Sequence, residues 1–169
     1  YFQKIKYLFI IIKQNQDKNN YYEELKKLAN SQAMTLFITH NLGGGTEQYV
    51  NNYLKEHSNV IVVTNLMHKI DIVYKVWNPE TGKSFFVMNF SKIFSIGFKN
   101  IILNSLVSYH NIPKIINSII KFKKKFDCNV DYMIHDFHCI CPKHNLIYKD
   151  FFCNFECKKN NCQFTNDYE

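Results

Sequence analysis

Three short apolar runs most constrain what this chain can fold into: MTLFIT from Met34, NVIVVTN from Asn59 and NIILNS from Asn100. Each is too short for a helix that carries a core. Each is dense in β-branched or large aliphatic residues, without regular polar alternation. Such a run reads as a strand that water reaches on neither face. Strands of that kind need cover on both sides, and the segments between them supply it.

TEQYVNNYLKEH, from Thr46, reads as a helix with Tyr49, Val50, Tyr53 and Leu54 on one face. IDIVYKVWNPETGKSFFVMNF, from Ile70, reads as a β-hairpin, with Pro79 early and Gly82 late in its turn. SKIFSIGF is a short helix stopped by Gly97. NIPKIINSIIKFKKKF is a helix with Pro113 in its first turn and lysines at its C-terminal end, where the helix dipole favours them. VDYMIHD is a last strand, ending at His135-Asp136. Strands alternating with helices predict an α/β fold: a Rossmann-like, doubly wound, mostly parallel sheet, with a β-hairpin insertion and a Cys-rich C-terminal loop. Residues 1–31 read as a peripheral extension ending in the helix NYYEELKKLAN, where Glu23 and Lys27 are spaced for an i, i+4 pair. Residues 32–169 read as the Rossmann-like domain.

The chain has 169 residues, 46% of them hydrophobic, enough for one domain with a real core. Its formal charge of +7 comes from lysine; the solvated surface of a lysine-rich protein is the plain reading, and anionic ligands, anionic lipid headgroups or nucleic acid are the functional alternatives. The run at residues 121–125, KFKKK, reads as the solvated end of a helix, with a nucleic-acid or lipid-surface patch as the alternative. The chain opens without Met and closes on CQFTNDYE, so a piece of a longer protein is expected. The apolar run at residues 7–12 is far too short to span a bilayer and has no small-residue cleavage site. A cytoplasmic protein is the expectation.

In a parallel sheet, ligands bind beyond the carboxyl ends of the strands. Three groups of residues fall there: His40 to Gly45, Asn104 with Ser105, and His135 to His138. Gly43, Gly44 and Gly45 permit a sharp turn and a close approach of ligand to backbone. The free N–H groups at the following helix start, near Thr46 and Glu47, favour an anion. The turn fits neither familiar phosphate fingerprint: position 48 is Gln48 rather than glycine, and no Gly-Lys-Ser/Thr follows. A tight turn without a ligand is the plain alternative. His135 suits a hydrogen bond to a substrate hydroxyl or phosphate, and Asp136 suits orienting it. A histidine satisfied by backbone is the alternative there. Cys139 and Cys141, near His135, His138 and His144, would suit a nucleophile, but no third member of such a site is evident.

Six cysteines are present, five of them in the last part of the chain. Cys141, Cys153, Cys157 and Cys162 are enough thiolates for a structural zinc site, although paired C-x-x-C knuckles are missing. Unligated thiols are the competing reading. Cys128 and Cys139 read as core or strand-edge thiols.

Taken together, LFITHNLGGGTEQYV, NIILNSLVSY and VDYMIHDFHCICPKHNLI with its trailing cysteines resemble the N-terminal domain of family-4-type glycosyltransferases of the GT-B fold. The resemblance is to the branch that builds bacterial surface polysaccharides, and it covers residues 34–162. It implies an acceptor-side domain facing a cleft, with the nucleotide-sugar donor held mainly by a second, C-terminal domain. It implies that Gly43, Gly44, Gly45 and Thr46 lie near the donor diphosphate. It makes His135, with Asp136, the catalytic pair. His40, Asn41, Asn104, Ser105 and His138 would line the acceptor cleft. The acceptor would be a glycan or a lipid-linked molecule, which brings peripheral association with the inner face of the membrane into view. Transfer would require no cofactor, any zinc would be structural, and no nucleic-acid partner is expected. This chain contains no counterpart of the family's glutamate-bearing donor motif, so half an enzyme, inactive alone, is the expectation.

Two other classes compete. A Rossmann-type nucleotide-binding oxidoreductase would carry an acidic residue at the end of its second strand, where this chain has Thr64-Asn65-Leu66. A non-enzymatic basic module with a cysteine-held metal would bind zinc stoichiometrically and nucleic acid in a salt-dependent way.

Overall fold

The computed structural model describes residues 18–43, 45–67, 70–135, 147–148 and 151–152. The order of elements is α1 (Lys18–Ser31), β1 (Thr35–Ile38), α2 (Gly45–Glu56), β2 (Val60–Met67), β3 (Ile70–Trp77), β4 (Ser84–Val87), α3 (Ser91–Phe94), β5 (Asn100–Leu103), α4 (Ile112–Phe126), β6 (Asn129–Tyr132), β7 (Ile147–Tyr148) and β8 (Phe151–Phe152). The chain divides into two compact units between Met133 and Ile134.

The first unit is built on a six-stranded sheet of order β4-β3-β2-β1-β5-β6. β1 is central and parallel to both neighbours: Leu36 pairs with Ile61 on one side and Ile101 on the other. β5 and β6 are also parallel, whereas β2–β3 and β3–β4 are antiparallel. The fold is therefore mixed α/β, its sheet parallel over three pairings. The hairpin expected as an insertion instead extends the sheet at its edge, because β3 takes the side of β2 that β1 leaves open.

The period-2 alternation of a strand sorts the apolar runs onto two faces. Leu36, Ile38, Ile61, Val63, Ile101 and Leu103 join the larger core, with residues of α1, α3 and α4. Phe37, Val60, Val62 and Ile102 face the other way, against Val50 of α2 with Tyr49, Tyr53 and Leu54 packed around it. The helical face read from the sequence of α2 is thus the one that is buried. The two crossovers from the centre run in opposite directions across the sheet, which is why α2 and α4 cover opposite faces.

Local chemistry fixes the ends. Asn111 caps α4, its side chain accepting from the Lys114 N–H at 3.0 Å, and Pro113 sits in the first turn. Asp127 closes that helix in the left-handed conformation. In the β3–β4 turn, the Asn78 side chain accepts from the Glu80 and Thr81 N–H groups, and Gly82 takes the positive φ.

Two expectations are corrected. The helix of the N-terminal extension is not peripheral: Tyr21, Leu25 and Ala29 are buried in the larger core, and Tyr21 meets Phe85 edge to face at 5.8 Å. In that helix Glu23 pairs with Lys26 rather than Lys27, and both side chains are too exposed for the pair to matter much. The last strand also stops short of His135. Among the described residues β6 pairs with β5, and the Met133 N–H to Leu103 carbonyl bond follows the last paired residues, Leu103 and Tyr132. β5 ends at Leu103, and among the described residues no strand takes up residues 133–135.

The second unit contains the antiparallel pair β7–β8, with Ile147 opposite Phe152. Among the described residues, no helix is long and apolar enough to cross a membrane.

Leu25 is fully buried, so Leu25→Ala should cost about 2–5 kcal/mol of unfolding free energy by urea denaturation. A loss within about 0.5 kcal/mol would return α1 to the periphery.

Candidate functional site

The strand order places a topological switch point between β1 and β5: from β1 the chain moves outward to β2, and from β5 it moves outward the other way to β6. The segments leaving these two strands separate there, which is where open α/β sheets form a crevice. The loop of residues 39–43 follows β1. The segment at residues 104–111 follows β5.

A buried polar network ties these segments together. The Asn104 backbone N–H donates to the Ile38 carbonyl at 2.9 Å, and its side-chain amide donates to Thr39 Oγ1 at 3.0 Å. The Tyr109 hydroxyl donates toward the Thr39 carbonyl at 3.0 Å and the Val63 carbonyl at 3.3 Å, linking the ends of β1 and β2. The Asn65 amide donates to the Ser108 carbonyl at 2.6 Å, and the Ser108 hydroxyl donates back to Asn65 Oδ1. All these residues are buried. Such groups are tolerated inside only because they are paired, and pairing in a dry setting makes the arrangement rigid.

Asn104 and Ser105 were expected to line an acceptor cleft. They are 1% and 2% exposed, so their place is beneath the loops, holding them, rather than at a surface. Asn65, Ser108, Tyr109 and Thr39 were not singled out by sequence reasoning. Their signal was a polar interruption of an apolar strand (Thr64-Asn65) and a Ser-Tyr pair just after another.

His40, Asn41, Gly43, Gly45 and Thr46 do reach the outer layer: Asn41 and Gly45 are exposed, the other three partly so. His40 Nδ1 accepts from the Leu42 N–H at 3.1 Å. An imidazole that accepts at Nδ1 is neutral and carries its proton on Nε2. Gly43 has φ +82°, a left-handed conformation that strains any residue with a Cβ. A methyl group added there would lie 3.4 Å from Glu47 Oε2. The first turn of α2 thus already carries its own carboxylate, which satisfies the dipole in part and opposes an incoming anion.

His135 is exposed and belongs to the second unit. Gly44, Asp136, His138, Cys139, Cys141, His144, Cys153, Cys157 and Cys162 lie outside the described residues, and with them the expected zinc ligands and half of the expected catalytic pair. Among the described residues, no three His, Cys, Asp or Glu side chains gather as a metal group. Cys128 is buried, as expected of a core thiol.

Family models, curated proteins and solved structures were compared with the chain, and none of them matches it.

Tyr109→Phe leaves the Thr39 carbonyl without that donor, so it should lower stability by about 1–3 kcal/mol in urea denaturation. An unchanged midpoint would show that the hydroxyl does not hold the two strand ends. Burial pushes the Cys128 thiol above the ordinary thiol range, and the weaker pull of Lys123 and Lys99 does not reverse it. The folded state therefore favours the protonated thiol. The stability that this contributes is complete below the unfolded-state pKa and is lost as pH rises through the folded-state value. In peptide mapping after iodoacetamide treatment of the folded chain, Cys128 should stay unlabelled at about pH 8. Labelling at the rate seen in denaturant would contradict its burial.

Proposed function

We propose that this chain is the acceptor-side domain of a GT-B glycosyltransferase of family-4 type, with a Rossmann-like fold. It would serve the transfer of a sugar from a nucleotide-sugar donor to a glycan or lipid-linked acceptor in cell-envelope polysaccharide synthesis. The observation that carries the reading is the switch point between β1 and β5: the glycine-bearing loop leaves one strand there and the Asn104 segment leaves the other. The three sequence blocks that resemble the family add support, because two of them are those same two segments.

Glycosyl transfer must stabilise a departing diphosphate and an oxocarbenium-like centre. Backbone N–H groups at the start of α2 suit the first need once Glu47 turns aside from Gly43. A donor held mainly by a second domain would need only a close approach to the backbone at this loop, and glycine permits that. His40 stands partly exposed in the loop that leaves β1, where a ligand beyond the strand ends would meet it. His135 and Asp136 take the catalytic role by resemblance to the family. The cysteines, if they hold zinc, hold it for structure.

In a full-length enzyme containing this domain, His135→Ala should lower kcat for sugar transfer at least about a hundredfold with little change in melting temperature. Undiminished turnover would remove His135 from the reaction. The 169-residue chain alone should release no nucleoside diphosphate from nucleotide sugars, and turnover by it would contradict a divided donor site.

A further inference from the structure

We propose that the apolar run at residues 7–12 covers the second face of the sheet at its β4 edge. Tyr74 and Val76 of β3, with Phe85 and Val87 of β4, are buried in the larger core. Strand alternation sends their neighbours Lys75, Trp77, Ser84 and Phe86 to the opposite face. Among the described residues, the helix on that face is α2, and its core reaches Trp77 but no residue of β4. Trp77 is partly exposed, with the Lys75 ammonium 5.7 Å from its ring centre. It pairs across the strands with Ser84, so a small polar side chain stands opposite the largest ring in the chain. Met88, the residue after β4, is 65% exposed. Trp77 and Met88 thus leave apolar surface on a face that α2 does not reach.

The chain itself selects the occupant. Residues 7–12, YLFIII, carry no charge, and a run of that composition left in water invites self-association. Five polar residues, KQNQD, follow it, and α1 then starts at Lys18. The start of α1 lies beside β4: Tyr21 and Tyr22 meet the Phe85 ring edge to face at 5.8 and 6.1 Å, and Glu24 pairs with Lys83 at 2.9 Å. β4 ends the six-stranded sheet, so a polar segment can pass round it. The chain from Ile12 to Lys18 reaches about 20 Å when extended. Layers on opposite faces of a sheet each stand about 10 Å from it. The reach therefore suits cover close to β4 and excludes cover of the far strands. A second copy of the chain would have to bring the same apolar surface from solution, whereas the tethered run is held at high effective concentration. The inference does not depend on the glycosyltransferase reading.

The test uses the full 169-residue chain. With Met88 replaced by the photoreactive residue benzoylphenylalanine, irradiation and tryptic digestion should join residues 84–92 to residues 7–13 within one monomer. Trp77 is the only tryptophan, so its fluorescence reports on the same surface. The double variant Phe9→Asp, Ile11→Asp should raise acrylamide quenching of Trp77 severalfold and shift its emission to the red. Cys128 should stay unlabelled by iodoacetamide in that variant, which shows that the first unit is still folded. A crosslink that misses residues 7–13, one that joins two copies, or none at all would overturn the proposal. So would unchanged quenching in a variant whose Cys128 stays protected. If the aspartates unfold the chain, the crosslink in the chain without them decides.

Discussion

Everything in the first unit follows from the need to keep both faces of β1 dry. Leu36 and Ile38 point into one core and Phe37 into the other, all three fully buried. A strand of that composition cannot lie at a surface, and it cannot end the sheet. It takes parallel partners on both sides, and those partners need crossover helices above and below. The position of α2 on one face and of α1, α3 and α4 on the other is the consequence. The switch point is a further consequence, because crossovers that leave the neighbouring strands β1 and β5 in opposite directions must leave a gap where they diverge.

At that gap the apolar logic gives way to a polar one. Thr39, Asn65, Asn104, Ser108 and Tyr109 are as buried as the isoleucines around them, and each is held by hydrogen bonds. An apolar set of similar volume would fill the space, but it would fix no register between β1, β2 and the segment after β5. Directional bonds fix all three at once. The loop that carries His40 and Gly43 therefore rises from a rigid base, even though its own residues are largely exposed.

The strands and the main helices were legible because periodicity is a strong signal over a buried run. NVIVVTN and NIILNS read as dry strands, and α2 showed its buried face through Tyr49, Val50, Tyr53 and Leu54. Three things were not legible. The burial of α1 depends on Tyr21 and Leu25 meeting Phe85 and its neighbours, contacts between distant segments that composition does not announce. The end of β6 depends on where its partner β5 stops, which the sequence of β6 does not contain. Asn104 and Ser105 looked like cleft residues because ligands of a parallel sheet bind beyond the ends of its strands, whereas here both are buried, the Asn104 amide donating to Thr39 and the Ser105 hydroxyl accepting from the Val107 N–H.

The two halves of the sheet also differ in how far along the chain they reach. Trp77 pairs with Ser84, a closure across one short turn, whereas Thr35 pairs with Asn100 across about half of the first unit. Loop-closure entropy therefore weighs on the parallel half, and β1 carries two such long closures. A defect in β4 would release one short loop. A defect in β1 would release the whole span between α1 and β5, and the ground beneath the glycine turn with it.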